Sequence, residues 1–325
     1  MAQYTPIGRR RAPAHDGRVY AILDDLVRLQ FQASGFSFLP RQPIHSLLAG
    51  RHASRLRGRG LNFEELRNYL PGDDIRTIDW KVTARTDAPH VRVYTEERDR
   101  PVWLVVDQRQ SMFFGSRWKM KSVAAAEAAA VAAWRVLAAG DRVGAMVFDD
   151  TDIVTIPPHR SRERVMRILR AVVDRNHALR ADRDLQPGPH MINEVLRRLG
   201  PLARHDNLVV LITDGFGVDE SSRPAATGLT EHNDMLGLVI FDPLERRLDD
   251  AGRLDFSDGA RLLEVDTGRA RVRGAYEADF EARMQTLHTL SRRNAVPLLT
   301  LDASLPLLEQ VRHQLGYEPH AGDRR

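Results

Sequence analysis

Val102-Trp103-Leu104-Val105-Val106-Asp107-Gln108-Arg109-Gln110-Ser111 is the stretch that decides the fold. Five apolar residues in a row leave a strand no wet side, so Val102 to Val106 belongs inside a sheet covered on both faces. Leu208 to Ile212 and Leu236 to Phe241 are runs of the same kind, and helical patterns separate the three. Strands alternating with helices predict a three-layer, Rossmann-like α/β domain around a mostly parallel sheet.

The surrounding elements fit that plan. Trp118 to Ala139 reads as a long alanine-rich helix, while Val143 to Phe148 and Asp152 to Ile156 read as an edge hairpin turning at Asp149 and Asp150. Arg162 to Val173 and Met191 to Leu202 are amphipathic helices. Tyr276 to Arg293 is a helix, Val296 to Leu301 a last strand and Leu305 to Leu315 a closing helix. Residues 244–273 interrupt the alternation. With strands expected at Leu262 to Val265 and Ala270 to Val272, they read as an inserted edge hairpin. The α/β domain therefore spans 101–316. Ahead of it, 1–16 and, behind it, 317–325 read as flexible tails. Tyr20, Leu23, Leu26, Val27 and Phe31 recur at helical spacing, so a helix from Arg18 to Gln32 opens a smaller, β-rich or irregular subdomain over 17–100.

Composition narrows the function. A chain of 325 residues with 42% apolar and 28% charged residues buries a full core and is not disordered. The absence of cysteine excludes disulfides, thiolate zinc sites and a cysteine nucleophile, and suits a reducing cytoplasm. The most apolar stretch, Ala124 to Ala139, carries Glu127 and Arg135 and is too short for a membrane anchor. Lys81, Lys119 and Lys121 are the only lysines, so arginine supplies nearly all of the 48 basic residues, yet the net charge is only +4. That gives little support to nonspecific nucleic-acid binding. The cluster Arg51, Arg55, Arg57, Arg59 keeps an arginine-mediated nucleic-acid module as an alternative. The chain holds no phosphate-cradling Gly-rich Lys-Ser/Thr loop, no His-Glu-x-x-His and no Gly-x-Ser-x-Gly elbow, and its 12 histidines lack ligand spacing.

Two central strands end in an acid, at Asp107 and at Thr213-Asp214-Gly215. In open parallel sheets ligands collect beyond the carboxyl ends of the strands, so both acids belong on one rim. Converging carboxylates need a cation, either a hard metal ion such as Mg²⁺ or a protein cation. The plainer alternative is that both acids cap helices or turns. The rim resembles the metal-ion-dependent adhesion site of von Willebrand factor A domains, whose first loop reads Asp-x-Ser-x-Ser. Asp107 and Ser111 match that loop, Asp214 matches the later aspartate, Arg109 replaces the middle serine, and His190 falls where the family keeps a threonine. A guanidinium keeps its charge and forks two hydrogen bonds to a carboxylate. Arg109 is therefore predicted to pair with Asp107 and Asp214, leaving a degenerate site that takes Mg²⁺ weakly or not at all, with no cofactor. A Mg²⁺-dependent phosphohydrolase using Asp107 as nucleophile and Asp214 as metal ligand is a further alternative, against which Arg109 counts.

The block Gly58 to Arg85 contains Tyr69-Leu70-Pro71-Gly72-Asp73-Asp74-Ile75-Arg76-Thr77-Ile78-Asp79-Trp80 and is followed by Val93-Tyr94-Thr95-Glu96-Glu97-Arg98. It resembles the signature of the bacterial family called domain of unknown function 58, in which it precedes a von Willebrand factor A-like domain. Read from its residues alone, Pro71-Gly72 presets a turn, and Phe63, Leu66, Tyr69, Ile78 and Trp80 can bury a small core. Arg67, Arg76 and Arg85 are available to pair with Glu64, Asp74 or Asp79. The alternative is a binding surface. The resemblance implies an adaptor or scaffold that works with MoxR-type AAA+ ATPases and other von Willebrand factor A-like proteins in client-protein maturation or stress response. The candidate partner-binding residues are Asp107, Arg109, Ser111, His190 and Asp214, with Arg76, Asp79 and Trp80 on the second surface.

Overall fold

The computed structural model describes residues 16–33, 61–69, 78–86, 88–96, 100–181, 187–257 and 262–316. They fall in two compact units: residues 61–96 make one, and residues 16–33 with 100–316 make the other. The expected tails, the Arg51 to Arg59 cluster and Arg76 lie outside the described residues. In chain order the elements begin with α1 (Leu23–Arg28), β1 (Leu61–Asn68), α2 (Trp80–Thr86) and β2 (His90–Glu96). Next come β3 (Pro101–Asp107), α3 (Lys121–Ala138), β4 (Arg142–Phe148), β5 (Ile153–His159), α4 (Arg162–His177), α5 (Met191–Leu199) and β6 (Leu208–Thr213). The chain continues through α6 (Arg223–Thr230), β7 (Asp234–Phe241), α7 (Pro243–Arg246), β8 (Arg253–Ser257), β9 (Leu262–Asp266), α8 (Ala270–Arg293), β10 (Leu298–Asp302) and α9 (Leu307–Gln314).

Six strands form the central sheet in the order β10-β7-β6-β3-β4-β5. All neighbours are parallel except β4 and β5, which make the antiparallel edge. Successive side chains point to opposite faces of a strand, and β3 divides accordingly. Val102, Leu104 and Val106 pack with α3, α4, α9 and Leu26 of α1, while Trp103 and Val105 pack with α5 and with Leu229 of α6. On that second face Val239 meets Phe280, Met284 and Leu287 of α8. These are the three layers of the expected α/β fold, helices on both faces of a mostly parallel sheet. Helix α3 is buried nearly all round, and its alanines let it lie against the sheet without side-chain bulk. Among the described residues no helix is long and apolar enough to cross a membrane.

Three expectations are corrected. The helix over Arg18 to Gln32 is shorter: a turn occupies 17–19, α1 covers Leu23–Arg28, and a 3₁₀ turn at Leu29–Phe31 takes Phe31 off the apolar face, leaving it 76% exposed. This segment also packs on the α/β unit rather than on the smaller one. Trp134 Nε1 donates to the Leu26 carbonyl at 3.0 Å, and the Ala21 amide donates to Asn176 Oδ1 at 2.7 Å. Within 244–273, β8 and β9 form a two-stranded sheet of their own instead of an edge of the main sheet. Ala270 to Val272 opens α8 and is not a strand, since alanine and arginine favour the helix.

In the smaller unit β1 pairs antiparallel with β2, with a bulge between Phe63 and Glu65. Of the residues expected to bury a small core there, Phe63 lies outside those whose side chains are described. Leu66 and Trp80 are exposed, Tyr69 and Ile78 are half-buried, and among the described residues of this unit Val91 is buried. The reason for the exposure of Trp80 lies at the start of α2. Asp79 turns inward and accepts the amide hydrogens of Lys81 and Val82 at 3.0 and 3.2 Å, so Trp80, about 100° further round the helix, points to solvent.

Candidate functional site

From β3 the chain runs to β4 on one side and returns to β6 on the other, so the order of connections reverses between β3 and β6. Such a reversal opens a crevice at the carboxyl ends of the strands. Asp107 ends β3, Asp214 follows β6, and neither is more than 2% exposed.

Arg109 folds back into this crevice. Its Nε donates to Asp107 Oδ1 at 3.0 Å and its Nη2 to Asp107 Oδ2 at 2.7 Å, the forked geometry of a guanidinium on a carboxylate. Nη2 also lies 3.8 Å from Asp214 Oδ1 and donates to the Phe216 carbonyl at 2.9 Å, while Nη1 donates to the Pro189 carbonyl at 3.3 Å. The Phe148 ring lies 5.4 Å from the guanidinium carbon. Thr213 Oγ1 supplies a further hydrogen bond to Asp107 Oδ2 at 2.7 Å. Asp214 accepts from the Phe216 amide at 2.9 Å and from Lys121 Nζ at 3.0 Å. Lys121 donates onward to Glu245 Oε1 at 2.8 Å, and Arg283 Nη2 lies 3.5 Å from that oxygen. Three acids thus face three cations. Burial opposes the charge on Arg109 and on Lys121, but Asp107 and Asp214 around the first, and Asp214 and Glu245 around the second, hold both pKa values above their ordinary level. Burial likewise opposes the Asp214 carboxylate, and Lys121 and Arg109 overcome it, holding its pKa well below the usual range.

Local sequence keeps the segments in place. Asp150 accepts from the Gln110 amide at 2.6 Å and from the Gly188 amide at 2.8 Å, tying the loop after β3 to the turn before α5. Gly217 has φ of +80°, and a Cβ there would sit 2.3 Å from the Pro189 carbonyl oxygen, so only glycine fits. Buried Gln108 donates to the Ser122 carbonyl and accepts from Asn176 Nδ2, both at 3.0 Å.

Asp107, Arg109 and Asp214 therefore meet, but the other sequence candidates do not join them as expected. Ser111 lies on the 3₁₀ turn Gln110–Met112, and its Oγ is buried without a hydrogen-bond partner. His190 is exposed and lines a furrow beside α5; the carbonyl of Pro189, next to it, reaches Arg109 instead. Asp107, Arg109 and Asp214 are buried beneath the rim. Asp79 is likewise buried as a helix cap, whereas Trp80 is 69% exposed. Lys121, Thr213 and Glu245 were not anticipated. One signal pointed to Lys121: a rare lysine in an arginine-rich chain, at the start of a helix too apolar to bury a lone charge.

This donor set does not fit a divalent cation. Both Asp107 oxygens accept from Arg109 and both Asp214 oxygens are engaged, so the oxygen ligands Mg²⁺ requires are spent on protein donors. Among the described residues no group of three or more His, Asp or Glu side chains could hold a metal ion. The same engagement counts against Asp107 as a nucleophile, which needs a free lone pair facing substrate.

The family model described as "Protein of unknown function DUF58" matches residues 65–286. The uncharacterized proteins Rv1480 of Mycobacterium tuberculosis and Mb1516 of Mycobacterium bovis are each 30% identical to the chain over 248 residues, covering 74% of it and 76% of the relative. Among solved structures, an aerotolerance-related membrane protein from Bacteroides fragilis is 15% identical, covers 67% of this chain and 100% of its own, and has a TM-score of 0.41. BatB from Bacteroides thetaiotaomicron is 14% identical, covers 66% of this chain and 98% of its own, and has a TM-score of 0.36. With more than half of its length inside the family model, the chain belongs to the DUF58 family.

Proposed function

We propose that the chain is a non-catalytic, cytoplasmic adaptor that binds protein partners at the carboxyl edge of its sheet without a metal ion. The observation that carries this reading is the occupation of the crevice by Arg109, with Lys121 beside it, where a metal-dependent rim would keep open oxygen ligands. Fixed cations hold the two strand-end acids permanently, so the rim keeps one shape whatever the divalent-ion level. Large apolar side chains stand exposed around it: Trp118 in the loop after β3, Phe216 after β6 and Leu305 after β10. Exposed aromatic groups above a rigid floor are what a protein interface uses as anchors. The partners we infer are a MoxR-type AAA+ ATPase and other von Willebrand factor A-like proteins, acting together in client maturation or stress response.

Affinity capture from native cells tests this, with the AAA+ ATPase identified by mass spectrometry. Retention in excess EDTA by the unmodified chain and loss with Phe216→Ala or Trp118→Ala are expected. Recovery of the ATPase only when Mg²⁺ is present, or equal recovery by all variants, would sink the reading.

A further inference from the structure

We propose that the furrow between α5 and α6 is a second docking surface, which takes an acidic, amphipathic segment of a partner protein. This rests on the reading of the chain as a protein-binding module but not on what meets the rim. The furrow has a volume of about 750 Å³ and opens along the seam between the two helices. It begins beside His190 and Ser221 and ends beside Arg204 and His232.

Three features of the seam are unexplained by the folded chain alone. Gly228 lies in the last turn of α6, inside the helix, where glycine is weaker than alanine, yet a Cβ there would meet nothing within 4 Å. Gly217 and Gly188, by contrast, are held by backbone that leaves no room for a Cβ. The missing side chain at Gly228 therefore keeps the furrow open and answers no internal contact. Second, Asn193 presents an unmet acceptor. Ser221 Oγ donates its hydrogen to Asp219 Oδ1 at 2.5 Å, so it must accept from Asn193 Nδ2 at 2.9 Å, which fixes the amide and leaves Asn193 Oδ1 buried without a donor. A buried acceptor of this kind calls for a partner's N–H. Third, the charges are unbalanced. Glu194 is taken by Arg197 at 2.8 Å and by Arg198 at 2.6 Å, which neutralises the furrow's one acid, and Arg204 has no ion-pair partner among the described residues.

Leu196, Ala225 and Leu229 give the furrow an apolar floor, and cations stand along its edges. An occupant with apolar residues on one side and carboxylates on the other complements both. A nucleic-acid strand would leave the apolar floor unused.

The test uses the full-length chain and a fluorescein-labelled, end-blocked helical peptide of Glu, Ala and Leu, followed by anisotropy. Its Lys-for-Glu counterpart and an oligothymidylate serve as competitors. Saturable binding of the acidic peptide is expected, weakened at least tenfold by Gly228→Leu, which fills the furrow, and by Arg204→Glu, with Phe216→Ala binding as the unmodified chain does. Thermal melting of Gly228→Leu at or above the unmodified value shows that the fold is kept. Absence of binding, unchanged binding by both furrow variants, or loss with Phe216→Ala would overturn the proposal. Displacement by the Lys peptide or by the oligothymidylate as readily as by unlabelled acidic peptide would do so too.

Discussion

Asp107 and Asp79 are both buried carboxylates, one in each unit, and the chain satisfies them by different means. Asp107 receives full countercharge from the forked guanidinium of Arg109, inside a set of acids and cations that extends through Asp214 and Lys121 to Glu245. Asp79 receives two backbone amide hydrogens at the start of α2. A countercharge network is costly to desolvate and costly to break, because removing one member strands another charge in a dry place. A helix cap draws on hydrogen bonds and the local helix dipole, both modest at a surface. The first arrangement seals its own neighbourhood, whereas the second leaves the next residue, Trp80, free to face solvent.

The largest expected effect follows from breaking the network. Arg109→Ala removes the only cation paired with Asp107 among the described residues and leaves Lys121 to hold Asp214. The cost should be about 3–5 kcal/mol, as for other buried pairs that lose one partner, measured as the shift in urea midpoint at unchanged slope. That is a large share of a typical stability of about 5–15 kcal/mol. A loss near ~1 kcal/mol, that of an ordinary substitution, would place the pair on the same footing as the cap and break the contrast.

The network should also shape the dependence of stability on pH at both ends. Asp214 is held below its ordinary pKa when folded. The unfolded chain therefore binds a proton first, and the stability this carboxylate contributes is full above about pH 4 and falls away as the pH drops through the folded value. Lys121 is held above its ordinary pKa, so its contribution is full below about pH 10 and is lost as the pH rises through the folded value. Lys121→Met should remove the alkaline loss and, by withdrawing a cation from Asp214, move the acid limb to higher pH. Melting temperatures across the range measure both. An acid limb in the same place in the variant would show that Lys121 does not carry Asp214.

Sequence patterns revealed different parts of the molecule unequally. The strands β3, β6 and β7 were legible because burial on both faces demands continuous apolar runs, and the two strand-end acids followed from the direction of a parallel sheet. Arg109 was legible as a charge beside a charge two residues away. Lys121 and Glu245 were not, since they reach the site from elements far apart in sequence, and α7 is only four residues long. The start of α8 was missed because Ala270 to Val272 is too short to separate helix from strand by periodicity. The furrow is a property of two helices packed side by side. No linear pattern announces it, although Gly228 inside an otherwise helical run was its one local trace.

The smallest effect is expected at Asp79. Asp79→Ala should lower stability by about 1 kcal/mol, as for other lost caps, because the amides of Lys81 and Val82 would turn to water. Asp79→Asn keeps an acceptor at the same position and should recover most of the loss. This pair of variants, followed by thermal melting, separates capping from ion pairing: an asparagine that behaves like alanine would mean that the negative charge of Asp79 matters, which would bring it closer to Asp107. Trp80 gives the complementary measurement. Trp80→Ala removes a mostly exposed ring, so its effect on stability should stay within about 0.5 kcal/mol. A larger loss would show that the ring is covered in solution, and the smaller unit would then owe its order to an aromatic contact in addition to the cap.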